Sequence, residues 1–295
     1  MTKMIPDPEW IRRIERIAGK SVQHVQPIQR GYTPAARWLV DFSNGPTAFA
    51  KIGATLDTAH WLRKEQWMYE SLHGSFMPQL LGWEDDDENP ILLLEDLRNS
   101  HWPPPWQDRQ IRHVLDTLPE VWASSVPDLG RIEDFRWIEA GWQHVAEDPQ
   151  PFLSLGLATE KWLAAALPAL LRLPGREIIH GDSLLHLDIR SDNLCFAGDR
   201  AVLVDWNLVC LGDPRVDVGF WLPSLEAEGG PHPENILPDA GDIAGIVSGF
   251  YASRAGQPDI PDAPFVRHIQ RVQLKTALPW AVRALGLPEL DGETG

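Results

Sequence analysis

The sequence predicts an α+β chain in two lobes: a small antiparallel β-sheet with one inserted helix, then a larger, mainly helical part. Three observations lead there. Short apolar runs separated by turn residues fill the chain up to residue 95. A rigid segment, His101-Trp102-Pro103-Pro104-Pro105-Trp106, follows. Beyond it apolar residues recur at helical spacing, interrupted by one strand–loop–strand island over about 178–209.

In chain order, residues 7–18 read as a helix. Asp7 can cap it, Pro8 suits the first turn, and Trp10, Ile11, Ile14 and Ile17 form one apolar face. Strands are expected over 22–28 and 37–42. The turn Ser43-Asn44-Gly45-Pro46 leads into a third strand over 47–52, which reads as a hairpin. A helix over 56–73 comes next. Two more strands, 79–83 and 91–95, flank the acidic loop Glu84-Asp85-Asp86-Asp87-Glu88-Asn89-Pro90. After the proline segment, Ile111, Val114, Leu115, Leu118, Val121 and Trp122 place a helix over 107–123. Further helices are expected over 158–172, 240–255 and 264–285. The lobe boundary falls near 96–100, which divides the chain into 1–96 and 97–295 with a hinge at about 94–98.

Composition narrows the function. The 295 residues are enough for a substantial core, and 43% hydrophobic with 23% charged residues is ordinary for a globular protein. The formal net charge of -16 repels a phosphate backbone, so nucleic acid is not an expected partner. The same charge suits a cationic ligand, although acidity also serves solubility alone. Cys195 and Cys210 are too few for a disulfide framework and sit in apolar surroundings, so both are expected as buried free thiols. No CxxC or HExxH pattern marks a zinc site. The N-terminus lacks an apolar signal run, and the most apolar stretch, 162–171, is short and contains Pro168. No membrane association and a cytoplasmic location are therefore expected.

The chemistry lies in the island. His186-Leu187-Asp188 is followed, five positions after the aspartate, by Asn193. The apolar run Ala201-Val202-Leu203-Val204 then ends in Asp205. Phosphoryl transfer needs such a set: one aspartate to meet the attacking hydroxyl, and an asparagine and a second aspartate to hold Mg²⁺ against nucleotide phosphates. His180-Gly181-Asp182 offers a competing aspartate, but Leu187 stands five residues beyond it and cannot ligate a metal. Spacing selects Asp188 and leaves Asp182 as a second choice.

With these residues the chain resembles the aminoglycoside phosphotransferase family, whose fold is protein-kinase-like and bilobal. The resemblance implies a nucleotide-binding first lobe and a catalytic, substrate-binding second lobe. It makes Asp188 the catalytic aspartate, His186 the histidine that orients its loop, and Asn193 and Asp205 the metal ligands. Leu211-Gly212-Asp213-Pro214-Arg215-Val216-Asp217 is similar to the family's G-D-P-x-x-D element, in which Asp217 would brace the catalytic loop through backbone contacts. Ala48-Phe49-Ala50-Lys51 resembles the strand whose lysine contacts phosphates, and Glu65 in the next helix would pair with Lys51. Taken singly, each is as readily a solvated surface charge. Gly31 and Thr33, in a turn with a single glycine, would cover the phosphates, and a plain turn is the alternative. Glu95 and Leu97, in the segment that resembles the hinge, would meet the nucleotide base through main-chain groups, unless Glu95 and Asp96 are only surface carboxylates.

The function this implies is transfer of the γ-phosphoryl group of ATP, with GTP as an alternative donor and Mg²⁺ as cofactor, to a hydroxyl of a small molecule. An aminoglycoside or other cationic antibiotic fits the charge; an amino alcohol or sugar fits as well. A kinase-like module that binds a ligand without turnover is the non-enzymatic alternative, and an interaction protein with an acidic surface is a third. The oligomeric state is not legible.

Overall fold

The computed structural model describes residues 6–28, 35–261 and 263–292. In chain order the elements begin with α1 (Pro8–Ala18), β1 (Val22–Pro27), β2 (Ala36–Phe42), β3 (Ala48–Ile52), α2 (Leu56–Ser71), β4 (Leu80–Glu84) and β5 (Ile91–Glu95). Helices α3 (Asp108–Trp122), α4 (Arg136–Glu139), α5 (Gly141–Glu147), α6 (Gln150–Leu153), α7 (Glu160–Leu170) and α8 (Gly175–Ile179) follow. Strands β6 (Ser183–Leu185), β7 (Leu194–Ala197), β8 (Arg200–Leu203) and β9 (Cys210–Gly212) come next, then α9 (Pro214–Ala227), α10 (Gly241–Ala255) and α11 (Val266–Leu285).

The chain divides into two compact units. The first holds residues 1–102 and 192–207, the second 103–191 and 208–295. The first is built on a five-stranded antiparallel sheet in the order β1-β2-β3-β5-β4. Its core is formed by Trp38, Val40, Ala50, Ile52, Ile91 and Leu93, with Ile14 of α1 packed among them. Local signals set the helices. Asp7 accepts the Glu9 amide at 2.8 Å and Gly19 ends α1 in the left-handed conformation at φ 63°. Thr55 and Thr58 cap each other's backbone at the start of α2. The two-stranded ribbon β7–β8 belongs to this unit, and Leu97 packs on Cys195 and Val202 of the ribbon.

The second unit is mainly helical. Helix α10 is buried over nearly its whole length and packs on α5, α9 and α11. The small ribbon β6–β9 also lies here. The sequence placed the start of the strand–loop–strand island at about residue 178; its first strand begins at Ser183, and Ile178 and Ile179 end a short helix that begins right after Pro174, with both side chains buried. Pro174 starts that turn without giving up a needed N–H. Helix α9 was not anticipated. It is buried from Val216 to Leu225, so no amphipathic period marks it, although Asp213 caps it and Pro214 stands at its first position.

Candidate active site

In the first unit, β3 carries Lys51 to the interior, where it is 7% exposed. Lys51 Nζ donates to Glu65 Oε2 at 2.6 Å and to Asp205 Oδ1 at 2.9 Å. Helix α2 buries Glu65 to 2% exposure, so neither member of this pair is a solvated surface charge. Burial works against the Lys51 ammonium, but Asp205 and Glu65 outweigh it and hold the pKa above the ordinary lysine value. Burial lifts the Glu65 carboxyl in turn, and Lys51 opposes the rise. Asp205 directly follows β8 and Val204, in the left-handed region at φ 67°, which aspartate tolerates better than most residues. Asn207 donates its side-chain amide to Asp205 Oδ1. The Val204 amide donates to the Asn193 carbonyl at 2.9 Å, which ties the start of β7 to the end of β8 and keeps Asn193 and Asp205 together.

A residue absent from the sequence-level set joins this group. Arg37 of β2 is the cross-strand partner of Lys51. Burial lowers its pKa, while the charges of Asp205 and Glu65 raise it. No sequence motif points to it, because its place depends on strand register.

In the second unit the loop after β6 holds His186, Leu187 and Asp188. Asp217, fully buried on α9, accepts the Leu187 amide at 2.6 Å and the His186 amide at 3.1 Å, and Trp122 Nε1 donates to it at 3.0 Å. Burial raises the Asp217 carboxyl, and these three donors and His186 pull it back. Leu187 sits at φ 63°, a rare conformation for a bulky residue and one that has to be held by its surroundings. His186 is completely buried and its Nδ1 accepts the Asp188 amide at 3.3 Å. Arg190 Nη1 lies 3.3 Å from Asp188 Oδ1. The buried Tyr251 hydroxyl is raised by burial and feels both Arg190 and Asp188. Ser191 Oγ donates to Glu228 at 2.5 Å, and Glu228 also takes the Trp106 indole at 2.7 Å.

The rival triplet is otherwise employed. Asp182 is exposed and pairs with Arg131, His180 pairs with Glu133, and a Cβ on Gly181 would stand 2.4 Å from the Gly212 carbonyl oxygen. Gly181 is therefore a packing requirement of the β6–β9 ribbon. The Glu95 carboxylate pairs with Arg200 and accepts the Gln79 amide at 3.1 Å, and the Glu95 amide donates to Gln79. The Leu97 carbonyl takes the Trp102 indole and the Ser100 amide. Gly31 and Thr33 lie outside the described residues. Trp206 is core, packed on Phe76.

The donor set suits a hard cation. Asn193 and Asp205 offer oxygen, as Mg²⁺ requires, and two protein ligands are enough when phosphates and water complete the shell. No group of three or more His, Cys, Asp or Glu side chains arranged for a metal occurs among the described residues. No helix among them is long and apolar enough to cross a membrane.

Comparison with known proteins adds to this geometry. The profile of the phosphotransferase enzyme family, APH, matches residues 24–245. Among solved structures, spectinomycin phosphotransferase APH(9)-Ia in complex with ADP and spectinomycin aligns at 16% identity with a TM-score of 0.57, over 96% of this chain and 100% of that one. Amicoumacin kinase hAmiN with AMP-PNP and Ca²⁺ aligns at 12% identity with a TM-score of 0.57, over 92% of this chain and 94% of that one. A choline/ethanolamine kinase family protein from Mesorhizobium loti aligns at 16% identity with a TM-score of 0.51, over 87% of this chain and 92% of that one. At these identities the likeness is one of fold. No curated protein matches.

Proposed function

The chain belongs to the APH phosphotransferase enzyme family, and from that premise we propose that it moves the γ-phosphoryl group of ATP to a hydroxyl of a small molecule. The observation that carries this reading is the buried Lys51–Glu65 pair bonded onward to Asp205. A lysine held charged in the interior between two carboxylates, one of them closing a strand, adds little to stability and suits a site that receives an anionic group.

Lys51, steadied by Glu65, neutralises the nucleotide phosphates. Asn193 and Asp205 would hold Mg²⁺, which supplies charge neutralisation at the phosphate oxygens. Asp188 orients the acceptor hydroxyl and takes its proton as the new O–P bond forms. The bond from Pγ to the β,γ-bridging oxygen breaks, and ADP leaves. His186 and Asp217 keep the loop in shape. Most of the acceleration is positioning and electrostatics. Glu95 and Leu97 are the main-chain candidates for the base, and Gly31 and Thr33 for covering the phosphates. ATP is the proposed donor, with GTP as the alternative.

Two acceptor classes each have an observation behind them. The net charge of -16 favours a cationic antibiotic. In the second unit, however, Glu226 pairs with His232, Asp242 with Arg215, and Glu228 with Ser191 and Trp106. Asp242 is thereby offset by a cation and the other two carboxylates are tied by hydrogen bonds, which supports a hydroxylated metabolite, an amino alcohol or a sugar, as the alternative acceptor.

The test is ADP release with Mg·ATP across aminoglycosides, spectinomycin, macrolides, amino alcohols and sugars. At least one acceptor should stimulate turnover in the wild type. Asp188→Asn should lower that turnover by about 10²-fold or more while ATP still binds. Full activity in Asp188→Asn, or no acceptor-stimulated ADP in the wild type, overturns the reading.

A further inference from the structure

We propose that Arg37 is a second polyphosphate-binding cation of the nucleotide site, one whose planar guanidinium binds phosphate oxygens. The inference rests on the nucleotide-dependent reading above.

Arg37 and Lys51 are direct cross-strand partners on β2 and β3, so both side chains project from one face of the sheet. Directly opposed like charges on neighbouring strands repel. Here they stand where Lys51 is buried and Arg37 is partly withdrawn from water, which raises the cost. Two carboxylates offset them. Asp205 and Glu65 both act on Arg37, and both act on Lys51. The four groups form one set with two positive and two negative charges. Glu65 is taken by Lys51 at 2.6 Å, and Asp205 Oδ1 already receives Lys51 and Asn207. Arg37 Nη1 donates to the Ala35 carbonyl at 2.9 Å, which pins one edge of the guanidinium to the start of β2.

This balance suits the free protein and changes when nucleotide arrives. A divalent cation held by Asn193 and Asp205 would draw on the carboxylate charge that offsets Arg37 and Lys51. The polyphosphate chain brings several negative charges to the same face. Lysine meets such a chain as a point charge, whereas the planar guanidinium can bind two phosphate oxygens at once. A purely structural Arg37, a counter-ion for Asp205 and Glu65 alone, would act on the polyphosphate only through its charge, so a lysine in its place would serve as well and adenosine would feel neither change.

That distinction is the test. Titration calorimetry with ATP, ADP and adenosine, in the presence of Mg²⁺, is run on the wild type, Arg37→Met and Arg37→Lys. Arg37→Met should weaken ATP and ADP by about tenfold or more, the scale of a hydrogen bond to a charged group, and leave adenosine within about twofold. Arg37→Lys, which keeps the charge and loses the fork, should weaken ATP severalfold with adenosine unchanged. Equal losses for ATP and adenosine, or wild-type ATP affinity in either variant, overturn the proposal. If Arg37→Met does not fold, Arg37→Lys decides alone by the same criterion. A wild type that binds none of the three ligands refutes the nucleotide reading itself, whatever Arg37 does.

Discussion

Asp217→Asn is the substitution that separates bracing of the loop around Asp188 from the chemistry proposed for it. The native carboxylate accepts three N–H groups and donates none: Leu187 at 2.6 Å on one oxygen, His186 at 3.1 Å and Trp122 at 3.0 Å on the other. An asparagine keeps a single acceptor oxygen. In its better orientation that oxygen serves His186 and Trp122, and the new NH₂ faces the Leu187 N–H. The lost bond is one to a charged acceptor, worth about 1.5–3 kcal/mol. The two bonds that remain become neutral, which roughly halves their strength. Removing a buried charge returns part of this, because burial is the largest influence on Asp217 and works against its ionised form. The net loss of stability is therefore about 2–3 kcal/mol. Leu187 is the residue left unheld, and its left-handed backbone stores about 1–3 kcal/mol that relaxation would release. Since Asp188 is the next residue, turnover should fall by about tenfold or more while the KM for ATP stays within about threefold. Urea unfolding and steady-state kinetics measure both quantities. Trp122→Phe, which removes one donor and leaves the two amides in place, should lose about 1.5 kcal/mol, the low end for a hydrogen bond to a charged group. Asp217→Asn with unchanged stability and kcat would refute the reasoning, and so would a larger loss in Trp122→Phe. A drop confined to stability, with kcat intact, would make Asp217 a packing residue only.

Two other outcomes are expected. Asp205→Ala should weaken Mg·ATP binding and abolish most of its Mg²⁺ dependence, read by titrating Mg²⁺ at fixed ATP; an unchanged dependence contradicts the ligand role. Glu84 accepts from Arg13 and Arg16 of α1, and the Arg16 hydrogen bond, its largest influence, leads in holding its carboxyl below the ordinary glutamate range. A depressed folded-state pKa stabilises above the unfolded value and is lost as pH falls through the folded one. The gap in Tm between wild type and Glu84→Gln should thus be full near neutrality and close in acid; a gap that widens in acid contradicts the pairing.

Much of this molecule can be read from the chain because its signals are local. Alternation, turns and caps placed the five sheet strands, α1 and α2 within a residue or two. The offset from Asp188 to Asn193 and the apolar run before Asp205 needed only counting. What escaped depends on tertiary facts. Helix α9 is buried on every side from Val216 to Leu225, so periodicity cannot reveal it, and only Asp213-Pro214 announces its start. His180-Gly181-Asp182 looks like a site triplet because the same residue types serve packing and pairing; only the closeness of Gly181 to Gly212, and the partners Glu133 and Arg131, separate the two uses. Arg37 was invisible for a further reason. A slip of one residue between β2 and β3 would send its side chain to the other face, so its meaning is fixed by register and not by composition. The same logic explains why Lys51 and Glu65 were ambiguous alone. A charge declares a function only when its neighbours show that water has been taken from it, and the chain brings those neighbours from β2, α2 and the end of β8.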